Sequence, residues 1–170
     1  TDPIIIRRGL QNAGIDPKPE LFDTVRRAYL ERLGPNLEHA NNFRIFSGAV
    51  QMARRLRNHS NFGESLTIGV GTGNFAEGAA TKLATADLSD LFDFGGFGSD
   101  AHDRADILQA GVAKGANRLD LSPDEAAPVI IGDTPKDVRA GAEIGATTIA
   151  VTTGDYSENQ LAAKNPDEVV

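Results

Sequence analysis

Two acids four residues apart, Asp133 and Asp137, follow the apolar run Val129-Ile130-Ile131-Gly132 in the segment VIIGDTPKDVRAGAEIGA. A short apolar run of this kind reads as a buried strand, so Asp133 falls at its carboxyl end, where a turn leads into a helix. Asp137 comes one helical turn later, and the two carboxylates face the same point. Hard oxygen donors at such a position suit a magnesium ion rather than zinc. The competing reading is structural, with Asp133 capping the next helix and Asp137 solvated. A second constellation ends the run Leu66-Thr67-Ile68-Gly69-Val70-Gly71, where Thr72-Gly73-Asn74 opens another helix. Gly73 lets a ligand approach the backbone closely, and the N–H groups of Gly73 and Asn74 at a helix start suit a phosphate. The Thr72 hydroxyl can donate one more hydrogen bond to a phosphoryl oxygen. A plain strand-to-helix turn has the same composition. The histidines, His39, His59 and His102, lack ligand spacing and read as surface residues.

Both constellations need strands to carry them to a common edge. From Phe46 onward, strand and helix signals alternate. A helix is expected from Ser47, as its cap, to about Asn58, then strand Leu66–Gly71 and a helix from Phe75 to Ala84. Next come strand Phe92–Phe97, helix Asp103–Ala116, strand Val129–Ile131, helix Lys136–Ile144 and strand Thr147–Val151. A short helix near Asn159–Ala163 and a strand Glu168–Val170 finish the pattern. Short strands alternating with helices predict a parallel sheet covered by helices on both faces, with ligands at the carboxyl ends of the strands. Residues 1–45 read differently, as helices only. One begins at Thr1-Asp2-Pro3 and stops at Gly14; a second runs from about Asp16 to Gly34-Pro35. Such helices cannot enclose a core alone. The chain therefore divides into 1–45, a partial helical cap, and 46–170, an α/β core, with a hinge expected near Asn42 to Ser47.

Composition narrows the chemistry. The 170 residues carry 17 Lys+Arg against 24 Asp+Glu, a net charge of -7, with no basic block. That disfavours nucleic acid as a partner. There is no cysteine, so disulfides, thiolate catalysis and zinc–thiolate sites are excluded. No apolar run approaches the roughly 20 residues that span a bilayer, so no membrane partner is expected and the setting reads as cytoplasmic.

Taken together, the motifs resemble the haloacid dehalogenase (HAD) superfamily of phosphohydrolases, particularly its phosphoglycolate-phosphatase-like group. IGVGTGNFAEGA, Ile68 to Ala79, is similar to the superfamily's second motif, with Thr72 as its threonine. VIIGDTPKDVRAG is similar to the fourth, with Asp133 and Asp137. ATTIAVTTG, Ala146 to Gly154, is similar to the strand and glycine turn that follow. The third motif supplies a lysine or arginine; GSDAHDRAD, Gly98 to Asp106, offers Arg104 in that place, against the reading of a solvated helix residue. The resemblance implies a Rossmann-like core with a small helical cap and a magnesium-dependent phosphomonoesterase working through an aspartyl-phosphate. Thr72, Gly73, Asn74 and Arg104 would bind the phosphate of a small phosphorylated metabolite, and Arg104 would stabilise charge in the transition state. Asp133 would ligate the metal, with Asp137 binding through water or orienting a ligand. A monomer or homodimer is expected.

One departure is large. The superfamily's first motif, D-x-D-G-T, supplies the aspartate nucleophile, and no D-x-D occurs in these 170 residues. The expectation is a chain lacking the strand that carries this motif, which would lie between the strands ending at Thr72 and Asp133. It would also lack a few C-terminal residues. Those two strands should then not be hydrogen-bonded to each other. Two alternatives stay open: a non-catalytic phosphate- or partner-binding module, and a phosphomutase or dehalogenase on the same fold.

Overall fold

The structure is a computed structural model of the chain and describes residues 1–41 and 43–170. The expected hinge thus falls partly on Asn42, outside the described residues.

Helix α1 (Asp2–Asn12) opens with an acid and Pro3 in its first turn, where a carboxylate and a missing N–H are both tolerated. Gly14 ends it in the left-handed region, at φ 73°. Helix α2 (Pro19–Glu38) also begins on proline, but it runs through Pro35 rather than stopping there. A proline so near the end forfeits one backbone bond in a turn that is about to finish, and the helix tolerates it. Helix α3 (Ser47–Arg57) starts on Ser47 instead of being capped by it; Phe46 holds the cap position with no side-chain bond.

The alternating region follows the expected order. Strand β1 (Val70–Gly71) leads to α4 (Ala76–Thr85), β2 (Gly95–Gly96) to α5 (Arg104–Arg118), and β3 (Val129–Gly132) to α6 (Pro135–Glu143). Strand β4 (Thr147–Ala150), α7 (Glu158–Ala162) and β5 (Glu168–Val169) complete the chain. All strand pairs are parallel, and the fold is a Rossmann-like α/β arrangement. The strands form two separate sheets, β1-β2 and β3-β4-β5. Strands β1 and β3 are therefore not bonded to each other, as the sequence reading requires. The ladders at β1 and β2 are two residues long, shorter than the apolar runs around them.

The open edges can be placed residue by residue. The N–H groups of Val70 and Thr72 donate to Phe94 and Gly96 across the β1–β2 ladder, at 3.1 and 2.9 Å. Successive backbone groups point to opposite edges of a strand, so those of Gly71 face away from β2. On β3, the carbonyls of Pro128 and Gly132 face β4, at 3.0 and 2.9 Å. The backbone groups of Val129 and Ile131 then face the other way, and both side chains are exposed.

Helix α5 joins the two sheets. It lies so close to β2 that a Cβ on Gly96 would collide with the Ile107 carbonyl, so that strand position requires glycine. Its Ala105 and Leu108 pack with Ala140 of α6, and Ile130 and Ile144 close that cluster. On the far side of α6, Val138, Ala150 and Leu161 form a second cluster, covered by Val169. Both sheets hang on one pair of helices, and this holds their carboxyl ends in register with each other.

Candidate active site

Asp133 stands at the end of β3, half-buried, and its carboxylate makes no hydrogen bond or ion pair among the described residues. It presses against Gly154 in the turn after β4, where a Cβ would collide with the carboxylate. It does not cap α6. Thr134 does, accepting the Asp137 N–H at 3.2 Å. The capping explanation for Asp133 thus loses its observation, and a free carboxylate remains at a strand tip.

Asp137 is different. It is only 6 % exposed, and both of its oxygens are engaged. Oδ2 accepts the Thr134 hydroxyl at 2.7 Å, while Oδ1 accepts Arg104 Nε at 2.7 Å and lies 2.6 Å from Nη2. The same Nη2 donates to the Gly71 carbonyl at 3.0 Å. Arg104 thus spans from the open edge of β1 to the first turn of α6, joining the two sheets electrostatically where they are not paired. Its neighbour Asp103 caps α5 by accepting the Ala105 N–H at 2.9 Å, which fixes where the guanidinium begins its reach. The sequence placed Arg104 among these groups only through its position in a motif; the structure brings it to Gly71 and Asp137 directly.

Thr72, Gly73 and Asn74 form the turn from β1 into α4. The Thr72 hydroxyl accepts the Asn74 N–H at 3.2 Å and donates to Asn74 Oδ1 at 3.1 Å. Two residues that the sequence reading did not single out complete this turn. Asp2 accepts from Asn74 Nδ2 at 3.1 and 3.3 Å and from the Phe75 N–H at 3.0 Å. Lys82 Nζ donates to Asn74 Oδ1 at 2.9 Å. Asp2 lies 72 residues from Asn74 in the chain, so no local pattern could have revealed the pair. Burial raises the Tyr29 phenol above its ordinary value, and the Asp2 charge pushes it further, so Tyr29 keeps the proton that it offers Asp2 at 3.4 Å.

This turn is also where the N-terminal helices dock. Phe75, 3 % exposed, meets the ring of Phe22 edge-on at a centroid distance of 6.3 Å and Tyr29 at 6.3 Å. Arg26 stacks over the same ring and pairs with Glu77. Helices α1 and α2 therefore sit beside Thr72 and not on a remote face. His39, His59 and His102 are exposed, as expected.

For magnesium, Asp133 is a suitable hard ligand with its oxygens free. Asp137 in this arrangement is already neutralised by Arg104. Among the described residues no three His, Cys, Asp or Glu side chains gather into a cation site. Of the two acids, only Asp133 has carboxylate oxygens without a partner among the described residues.

The chain has the architecture of HAD-like hydrolases, and it resembles that superfamily, its phosphoglycolate-phosphatase-like members included. The HAD-hydrolase-like family matches residues 107–170. A predicted phosphoglycolate phosphatase from Haemophilus somnus is similar at a TM-score of 0.62 and 17 % identity, over 96 % of this chain and 68 % of that one. A hydrolase from Pseudomonas syringae is similar at 0.62 and 19 %, over 98 % and 71 %. A HAD-like family protein from Streptococcus pneumoniae is similar at 0.59 and 19 %, over 89 % of this chain and 66 % of its own length. This chain thus spans about two thirds of the length of these solved structures. At such identities the similarity is one of fold. No curated protein matches the chain significantly. No described helix is long and apolar enough to cross a membrane.

Proposed function

We propose that the protein is a magnesium-dependent phosphomonoesterase of the HAD type, acting on a small phosphorylated metabolite. What supports this reading is that Arg104 bonds both to Gly71, next to Thr72 at the end of β1, and to Asp137, one helical turn after Asp133 at the end of β3. In this reading Thr72 and the Gly73 N–H receive the phosphoryl oxygens. The Arg104 guanidinium lies on the same side as Gly71 and offsets the charge that develops on the phosphoryl group. Bound magnesium would neutralise negative charge where phosphate and carboxylates converge, with Asp133 as one ligand. An aspartate nucleophile, which this arrangement does not itself provide, would belong to a strand lying between β1 and β3 and would form an aspartyl-phosphate that water hydrolyses. Helices α1 and α2 would act as the cap beside the phosphate.

The test is turnover of para-nitrophenyl phosphate and a panel of phosphate esters by the intact protein, with magnesium and with a chelator. Metal-dependent release of phosphate from at least one ester is the expected result. No metal-dependent turnover on any of them would sink the hydrolase reading and favour a binding module.

A further inference from the structure

Asn74 carries more contacts than a turn residue needs. Its amide nitrogen is held by both Asp2 oxygens, its amide oxygen accepts from Lys82 and Thr72, and its backbone carbonyl accepts the Gly98 N–H at 2.7 Å. We propose that Asp2 and Lys82 are positioning residues: they grip the Asn74 side chain from its two ends and through it hold the Thr72 hydroxyl where a phosphoryl oxygen arrives. The proposal rests on the reading of Thr72 as a phosphate contact.

An asparagine amide has donors at one end and an acceptor at the other. A carboxylate facing the nitrogen and an ammonium facing the oxygen admit one orientation only, because the flipped amide would set donor against ammonium and acceptor against carboxylate. The Thr72 hydroxyl has a single proton, and here it points to Asn74 Oδ1. To bind a phosphoryl oxygen, that proton must turn away from Asn74. Without Lys82, Oδ1 would then be left bare in a half-buried site, and a bare buried acceptor is costly. With Lys82 in place, Oδ1 stays satisfied and the hydroxyl is released cheaply. Asp2 adds a second link. It begins α1, and its own N–H donates to the Gly73 carbonyl at 2.8 Å. The start of α1 is thereby tied to the Thr72 turn through both the side chain and the backbone of Asp2.

The test uses Asp2→Ala and Lys82→Met in the intact protein, each alone and combined with Thr72→Val. Steady-state kinetics on para-nitrophenyl phosphate are measured beside NMR exchange of the Asn74 side-chain amide. Each substitution is expected to lower kcat about tenfold with a much smaller change in KM, and to have little further effect once Thr72 is valine. Lys82→Arg should recover most of the loss. The Asn74 amide should exchange faster in Asp2→Ala. Losses that add fully to that of Thr72→Val would overturn the proposal, since both residues would then act elsewhere. Unchanged Asn74 exchange in Asp2→Ala would overturn it too. If the unaltered protein turns over no ester, the phosphatase reading fails, and the grip on Asn74 is decided by the exchange result alone.

Discussion

A carboxylate with two engaged oxygens and a carboxylate with none do different work, although the sequence presents Asp133 and Asp137 as a pair. Asp137 is buried and neutralises Arg104; removing its charge leaves a guanidinium only 26 % exposed facing an amide. Breaking a partly buried ion pair from one side costs about 2 kcal/mol, below the range for fully buried pairs. Asp137→Asn should therefore lower the melting temperature by several degrees, roughly 4–8 °C for a domain of this size. Asp133→Asn should melt almost as the unaltered protein does and lose activity by orders of magnitude, more than Asp137→Asn. Melting curves and kcat/KM on the same preparations check both. A collapse in stability for Asp133→Asn, with activity merely following it, would restore a structural role to that residue. The pairing is legible in the sequence as spacing, and a cap at Asp133 stands there as the competing structural reading because aspartate is a good N-cap. Thr134 took that place because its hydroxyl can accept the Asp137 N–H and donate to the Asp137 carboxylate at once.

Elements were legible where their stabilisation is local and obscured where it is not. Helices α5 and α6 begin at their caps, Asp103 and Thr134, within a residue or two of the places their periodicity predicts. Strand β1 is shorter than its apolar run because strand length depends on a partner, which sequence patterning does not report. Helix α3 shows the same limit: its apolar spacing is clear, yet Ala53 is its buried residue and Met52 stays 39 % exposed. One tether is the Arg57–Asp93 pair, 2.8 Å, with Arg118 of α5 on the same carboxylate at 3.8 Å. The hydrogen bond from Arg57 holds the Asp93 carboxyl below its ordinary value. A depressed carboxyl contributes stability that is present above its unfolded value, near 3.8, and is lost as pH falls through the lower folded value. Asp93 is 40 % exposed, so solvent limits the effect to about 1 kcal/mol or less. Asp93→Asn should thus be slightly less stable in urea at about pH 6 and indistinguishable at about pH 2. A difference that persists at the acid end would mean that packing, not charge, sets the role of Asp93.

For the whole molecule, the decisive feature is that β1 and β3 stand at the open edges of separate sheets while α5 and Arg104 hold those sheets in one frame. Val129 and Ile131 are exposed along the open edge of β3, so a strand filling the slot would add both backbone bonds and apolar cover for them. Thr1 lies beside the carboxyl end of β1. Its Cα lies 3.1 Å from the position a Cβ on Gly73 would occupy, at the carboxyl end of β1. A parallel strand running between β1 and β3 would deliver its last residues there, beside Thr72 and Arg104, where the proposed nucleophile is needed. We therefore expect residues 1–170 alone to exchange the Gly71, Val129 and Ile131 amides rapidly, while those of Val70, Thr72, Thr147 and Val151, bonded in the ladders, are protected. Placing an apolar β-forming segment ahead of Thr1 should slow the first group and raise the melting temperature. Equal protection of both groups in the shorter chain would mean that β1 and β3 pair with each other in solution. That would leave no place for a nucleophile between them, and the phosphatase reading would fall with the slot.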